Sequence, residues 1–366
     1  MPEKRLTPFD ADEDKEIDYG KLMKEFGTQP VPSHIIKKLS DIRAFRHGYV
    51  FSHRDFDKFL AAYEAGKKVA IITGFNASGS IHLGHKLSFD CVIELQKKYR
   101  IPAYVPISDD ESYVCEKVKD QAEGLKNARL IVAQLLALGF DPSLTKFFIH
   151  QQYTKIYNLA IKLSRRYTMS AIKAIYGFTD STNPGLMFYP VIQAADILLP
   201  QEPEFEGRIF TVTPIGIDQD PHMRLARDIA DKFGYIKPTT FHIKYLPGLR
   251  GGKMSKSRPG SALFLNEKPE VAAKYVMNTL TGGRNTIEEQ RKLGGEYDNC
   301  IVAKYMAAHF DDDKQMLDRK RKCLSGQLLC GECKNDLSCA IKKFLVEFQA
   351  RVAKVEKRLD KNLIKN

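Results

Sequence analysis

The chain has 366 residues, of which 43% are hydrophobic and 28% charged, and its formal net charge is +12. That length allows two domains or one large domain with an appendage, and the composition excludes a disordered chain. No apolar run approaches the roughly 18 residues that a membrane helix needs, so a spanning segment is excluded as well.

The surplus of Lys and Arg biases the chain toward an anionic partner such as nucleic acid, although an unattached basic enzyme has the same charge. At the N-terminus, Asp10, Asp12, Glu13, Asp14, Glu16 and Asp18 leave no room for the apolar stretch of a signal peptide, so a cytoplasmic location is expected. Lys68 to Thr73 (KVAIIT) is apolar and β-branched and runs into Gly74 and small turn-forming residues, which predicts a buried strand entering a loop. Leu83, Leu87, Cys91, Val92, Leu95 and Tyr99 then recur at helical spacing and predict a helix over 83–100. Ala103 to Ile107 predicts a second strand, so strand, crossover helix and strand open a parallel α/β sheet. Residues 117–199 are mostly helical in pattern and read as an insertion. Strands at 208–215 and 239–246, with a helix over 222–233 opened by Asp220 and Pro221, read as the second half of the sheet. Beyond Leu265 strand signals cease, and Leu337, Ile341, Phe344, Phe348, Val352, Val355, Leu359 and Leu363 predict a helical C-terminal domain. The expected organisation is an extension at 1–47, a Rossmann-like parallel α/β domain at 48–264 and a helical domain at 265–366.

The loop after the first strand reads Gly74-Phe-Asn-Ala-Ser78-Gly-Ser-Ile-His82-Leu-Gly84-His85. Two imidazoles three residues apart at a helix start share one face, beside free backbone N–H groups and the positive dipole end, which suits phosphate. Gly84 between them removes a side chain that would hold a nucleotide base away from the backbone. Taken alone, two histidines at a helix start are more often polar caps. Farther on, Gly251-Gly-Lys253-Met254-Ser255-Lys256-Ser257 offers two ammonium groups and two hydroxyls on a glycine-hinged loop, suited to closing over a departing pyrophosphate. A lysine–serine loop by itself is ordinary surface; the two motifs in this order, each after a predicted strand, are not.

Together they resemble the two signatures of class I aminoacyl-tRNA synthetases. From about Gly48 to the end the chain is similar to the tryptophanyl family of archaeal and eukaryotic type, through Phe51-Ser-His-Arg-Asp-Phe-Asp57, Tyr176-Gly-Phe-Thr-Asp180, Gln193-Ala-Ala195, Gly216-Ile-Asp-Gln-Asp-Pro221 and Gly282-Gly-Arg-Asn-Thr-Ile-Glu-Glu289. Tyrosyl enzymes share the fold and both signatures but resemble the chain poorly from Gly282 on, and they place a tyrosine where Ile72 stands. The resemblance implies ATP and tryptophan as substrates, Mg2+ with the ATP, tRNA(Trp) as acceptor, a homodimer and no membrane. It implies phosphate contacts from His82, His85, Lys253 and Lys256, with Gly74, Ser78, Gly84, Asp218, Met254, Ser255 and Ser257 around the nucleotide. Gln193 and Gln219 fall to the α-amino end of the amino acid. Ile72 and Pro106 stand where eukaryotic members place a tyrosine and a glutamine at the indole nitrogen, so another acceptor is needed, and Glu111 and Asp196 are the candidates. A structural hydrogen bond is the competing role for Asp196. The basic run Arg319 to Lys322 suits RNA, or equally a solvated helix face. A small-molecule nucleotidyltransferase would be shorter and would not need the last hundred residues. An RNA-binding protein without activity would have no use for His82, His85, Lys253 and Lys256 together.

Five of seven cysteines lie between 300 and 339. Cys300, Cys323, Cys330 and Cys333 end in a pair with a two-residue gap, which lets two thiolates reach one metal centre. The spacing resembles an iron–sulfur pattern of some tryptophanyl enzymes, implying a four-iron cluster; a structural zinc would use the same thiolates, and unligated thiols are the third possibility. Cys339 is expected to be a buried packing residue.

Overall fold

The computed structural model describes residues 18–252, 254 and 260–366. Eight strands form one mixed sheet: β1 (Gln29–Pro30), β2 (Val50–Arg54), β3 (Val69–Ile72), β4 (Phe75–Asn76), β5 (Ala103–Ser108), β6 (Thr145–Ile149), β7 (Phe210–Ile215) and β8 (Thr239–Ile243). Their order is β1-β2-β8-β7-β3-β5, with β4 and β6 both paired to β5. Contacts among β3 to β8 are parallel, whereas β1 and β2 join the edge antiparallel. All of β3, β5 and β8 is buried, which is why these strands read as continuous apolar or β-branched runs: helices cover both faces of a parallel sheet.

The helix Leu83–Tyr99 crosses from β4 to β5 and ends one residue before its predicted limit, where Arg100 turns left-handed at φ 53°. Asp109–Val114 and Gln121–Leu138 follow β5. β6 then lies inside the stretch whose pattern is mostly helical. Its five residues TKFFI are too few for a periodic signal, yet they pair with β5 over Ala103↔Thr145 to Ile107↔Ile149 and extend the parallel sheet. The helices Lys155–Ser164, Met169–Tyr176 and Pro184–Leu198 complete this stretch around a second buried cluster that includes Tyr153, Ile156, Leu159 and Tyr189.

After β8 there is no strand among the described residues. The last long helix, Cys330–Glu356, buries Leu337, Ile341, Leu345, Phe348 and Val352 along one face and packs on Pro269–Met277 and Gln121–Leu138. The predicted apolar stripe outruns this helix. Leu363 is extended and bridges Phe147 of β6, and the Ile364 N–H donates to the Phe147 carbonyl at 2.8 Å, so the tail occupies bonding positions on an edge strand that would otherwise be bare.

The antiparallel edge is tied to the parallel sheet by charge. Arg54, at the end of β2, makes a two-pronged ion pair with Asp220, Nε to Oδ1 and Nη2 to Oδ2, both 2.7 Å. His242 of β8 lies 3.3 Å from Asp220 Oδ1 and 2.8 Å from Ser52 Oγ on its other ring nitrogen. Burial by itself would raise the Asp220 pKa, but the bonds from Arg54 and His242 outweigh it and hold the carboxyl below its ordinary range. A carboxyl whose pKa is depressed in the folded state adds stability above its unfolded pKa of about 4, and that stability is lost as pH falls below it. Arg54→Met should therefore lower unfolding free energy by about 3–5 kcal/mol at pH 7, because a fully buried carboxylate loses its fork. In urea titrations the deficit should shrink as the pH drops toward about 3.

Candidate active site

The carboxyl ends of β3, β5 and β7 open on one cavity of about 370 Å³. On the β3 side the chain turns sharply at Gly74, where a Cβ would sit 2.9 Å from the Pro106 carbonyl oxygen, so only glycine lets β3 run this close to β5. The loop then climbs to His82, the N-cap of the helix Leu83–Tyr99. His82 Nδ1 accepts from the N–H groups of Gly84 (3.1 Å) and His85 (3.3 Å), while His85 Nδ1 accepts from the His82 N–H (3.3 Å). The rings stack with centroids 3.4 Å apart. This reciprocal cap consumes Nδ1 of both imidazoles, so a ligand contact from either ring falls to Nε2. A capping role for these rings therefore does not exclude a ligand contact. Gly84 lines the cavity, but the nearest constraint on it is internal: a Cβ would come within 3.0 Å of the His82 ring and 3.1 Å of Met254 Cε.

On the β7 side, Gly216, Asp218 and Gln219 line the cavity. The Tyr245 hydroxyl donates to Asp218 Oδ1, and the Tyr245 N–H donates to the Tyr19 hydroxyl at 2.9 Å. A Cβ at Gly216 would strike both Asp218 Oδ1 and the Tyr245 hydroxyl at 2.7 Å, so glycine is needed for that contact. The Arg54–Asp220 pair lies two residues beyond Asp218 and anchors this loop. Two segments quoted above for the family resemblance, 51–57 and 216–221, are therefore partners in space.

The third wall is apolar at Ile72, Pro106 and Ile197 and ionisable at Glu111 and Asp196. Glu111 Oε2 accepts from Ser108 Oγ at 3.0 Å. Gln193 Oε1 accepts from the Tyr189 hydroxyl at 2.7 Å and keeps a second lone pair. Asp196 is only 1% exposed, and its Oδ1 lies 3.1 Å from His150 Nε2. Burial raises the Asp196 pKa, with His150 pulling the other way.

The structure thus brings His82, His85, Gly74, Gly84, Asp218, Met254, Glu111, Gln193, Asp196 and Gln219 around one space. Ser78 does not line it; its N–H bonds Asn76 Oδ1 at 2.9 Å within the loop. Lys253, Ser255, Lys256 and Ser257 lie outside the described residues. Lys117, Tyr245 and His222 line the cavity without having been singled out in the sequence. Burial pushes the His222 pKa down to about 3, so it is a neutral ring here, bonded to the Tyr176 hydroxyl at 2.9 Å. Tyr176 belongs to one of the resemblance segments, and nothing in their spacing points to this pairing across 46 residues.

Elsewhere, Cys300, Cys323, Cys330 and Cys333 line one small pocket with Thr281, Gly282, Tyr297 and Arg319. Two glycines press on the sulfurs: a Cβ at Gly283 would lie 2.8 Å from Cys330 Sγ, and one at Gly295 2.9 Å from Cys323 Sγ. Arg319 Nη1 donates to Cys333 Sγ at 3.6 Å and also holds Asp311 and Asp336. Among the described residues no three His, Cys, Asp or Glu side chains converge as ligands of a single ion. Cys339 is exposed, not buried as its apolar surroundings suggest. It lies off the face of its helix that carries Leu337 and Ile341 into the core.

The family model for class I tRNA synthetases (W and Y) matches residues 64–346. The tryptophan-tRNA ligase of Thermococcus onnurineus is 38% identical over 371 residues, covering 99% of this chain and 94% of that protein. That of Thermococcus sibiricus is 39% identical over 372 residues with the same coverage. The crystal structure of tryptophanyl-tRNA synthetase from Aeropyrum pernix superposes with a TM-score of 0.87 at 38% identity, covering 95% of this chain and 97% of that one.

Proposed function

The chain belongs to the class I tRNA synthetases for tryptophan and tyrosine, and we propose that it acts as a tryptophan-tRNA ligase in the cytosol. It activates tryptophan with ATP and passes the tryptophanyl group to the 3′ end of tRNA(Trp). The observation that carries this reading is the shape of the cavity: a histidine-capped helix at one end, Asp218 at another, and an apolar pocket ending in a buried carboxylate.

In the activation step a carboxylate oxygen of tryptophan attacks the α-phosphorus of ATP, and the bond to the pyrophosphate oxygen breaks. The protein positions the reactants and neutralises charge. His82 and His85 would meet the triphosphate through Nε2 beside the helix dipole, with Lys253 and Lys256 adding charge as pyrophosphate leaves. Magnesium bound with ATP would offset phosphate charge. Asp218, held by Tyr245, suits a ribose hydroxyl, and the carbonyl oxygens of Gln193 and Gln219 suit the α-ammonium. For the indole N–H we assign Asp196. Its carboxylate is deeply buried and held on one oxygen, whereas Glu111 is more open and is engaged by Ser108. Ile72 and Pro106 offer no donor to the oxygen of a tyrosine hydroxyl, and burying that oxygen without one costs about 1–3 kcal/mol. Pyrophosphate exchange should accordingly run with tryptophan and only weakly with tyrosine. Equal exchange with tyrosine would refute the assignment.

Residues 265–366 are proposed to hold the RNA. Arg319 is committed to Asp311 and Asp336, but Lys320 pairs with Asp298, and Arg321 and Lys322 with Asp318, on exposed surface. Such pairs contribute about 0–1 kcal/mol and exchange readily for phosphate. A homodimer through the catalytic domain is proposed on the family resemblance. Light scattering at micromolar concentration should give twice the chain mass, and a monomer would overturn it.

For the four-thiol pocket we propose a four-iron cluster, on the resemblance of the cysteine spacing to the family's iron–sulfur pattern, with zinc as the alternative on the same thiolates. Zinc needs four sulfurs converging at about 2.3 Å from one point, whereas a cubane takes one thiolate at each of four separated irons. Here the four cysteines line one small pocket. Cys300, Cys323, Cys330 and Cys333 would hold the cluster, which would brace the helices that carry the RNA. Protein purified without oxygen should be brown with about four irons per chain. Cys330→Ser should lose colour and tRNA charging while pyrophosphate exchange survives. Colourless, iron-free protein from the same preparation would overturn the cluster.

A further inference from the structure

His150 follows β6 directly and is completely buried. Each ring nitrogen faces a carboxylate: Nδ1 lies 2.8 Å from Asp110 Oδ1 and Nε2 lies 3.1 Å from Asp196 Oδ1. Asp110 is itself fixed by two further contacts. In the first turn of the helix Asp109–Val114, its Oδ1 accepts from the Glu111 N–H at 2.8 Å, and its Oδ2 accepts from the Tyr157 hydroxyl of the helix Lys155–Ser164 at 3.1 Å. A neutral imidazole has one N–H and would set a lone pair against one of these carboxylates. Burial alone would lower the His150 pKa, but Asp110 and Asp196 overcome that and raise it well above 6.5. The charged and titratable neighbours around the ring are Asp109, Asp110 and Glu111 after β5, Tyr157 on the Lys155–Ser164 helix, and Tyr189 and Asp196 on Pro184–Leu198. Among the described residues, His150 is the basic side chain bonded to Asp196.

Asp196 lines the cavity, and His150 takes its Oδ1. The oxygen that can serve a ligand is therefore Oδ2, and its direction is set by the bond on Oδ1. We propose that His150 is a positioning residue for substrate selection. By donating from both ring nitrogens it ties Asp196 to Asp110 and aims the remaining carboxylate oxygen at the N–H of the heteroaromatic side chain. The inference deepens the reading of Asp196 as the indole acceptor and rests on it. His150 itself does not line the cavity, and its direct bond to the lining is the one to Asp196.

The test compares pyrophosphate exchange with tryptophan and with 3-benzothienylalanine, whose ring has tryptophan's shape but carries sulfur in place of N–H. The ratio of kcat/KM for the two substrates in one preparation does not depend on how much of it is folded. In His150→Leu the KM for tryptophan should rise roughly 10- to 100-fold, with kcat changed only a few-fold and the preference over the sulfur analogue falling by the same factor. The KM for ATP should hold. His150→Gln, which can still donate to Asp196, should recover part of the preference. If His150→Leu does not fold, Asp110→Asn supplies the reading: it removes one anion from the imidazolium while keeping the shape, and the preference should fall by a smaller factor. Asp196→Asn separates the two levels of inference. If it loses the preference while the His150 and Asp110 variants keep theirs, His150 only fills space and the proposal is overturned. If Asp196→Asn itself keeps the preference, the acceptor lies elsewhere, and the proposal falls together with the reading it rests on.

Discussion

Asp220 has no exposed surface, and burying a carboxylate costs several kcal/mol unless strong partners offset it. Here the partners are the guanidinium of Arg54 and the ring of His242, and the ion pair closes a loop of 166 residues. Its consequence is positional. The pair clamps the antiparallel edge of the sheet onto the start of the helix Asp220–Ala230, and the residues just before that helix, Gly216 to Gln219, form one wall of the cavity. With the loop fixed from below, Tyr245 can hold Asp218 from the side, in a contact so close that only glycine is tolerated at 216.

On the opposite wall the arrangement is inverted, with one imidazole, His150, held between two carboxylates. Buried charge of this kind is poor value as stability but rigid, because neither partner can move without leaving the other unsatisfied. Asp109 extends the cluster: burial, with Asp110 adding to it, raises its pKa to about 6. A substrate entering the cavity thus meets groups already oriented, which is what lets charge positioning act in the reaction without reorganisation. Asp90 of the histidine-capped helix pairs with Lys86 on the same helix at 2.6 Å and lies 3.8 Å from Nδ1 of His309, in the turn Met306–Phe310 of the C-terminal helices. Burial lowers the His309 pKa to about 4 and keeps that ring neutral.

The thiol pocket is built by other means. Its four sulfurs come from the N-cap of one helix, the last turn of a second and the first turn of a third, and the glycine pairs at 282–283 and 294–295 let the backbone close on them. None of these elements contributes to the cavity lining, so the cavity and the cysteines occupy separate parts of the fold.

What the sequence by itself determined is local. KVAIIT and AYVPI read as buried strands because a parallel sheet shields both faces; the helix over 83–100 followed from its periodicity; His82, Gly84 and His85 could be seen at its start because caps and phosphate contacts use the same few positions. The four cysteines were grouped by spacing, and the structure brings their side chains to one pocket. Tertiary structure alone decided which distant groups meet. TKFFI of β6 carries no periodic signal and becomes a strand because β5 offers it a free edge. Leu363 continues an apolar stripe but leaves the helix, because the edge of β6 supplies backbone partners, and Cys339 turns outward because its helix presents another face to the core. Gly84 owes its place first to the His82 ring and Met254. His150 reads as an unremarked residue after a short strand until Asp110 and Asp196 arrive on either side of it. Periodicity and turn chemistry are properties of neighbouring residues, whereas the pairing of buried charges depends on which strands lie side by side, and that is settled only when the whole sheet closes.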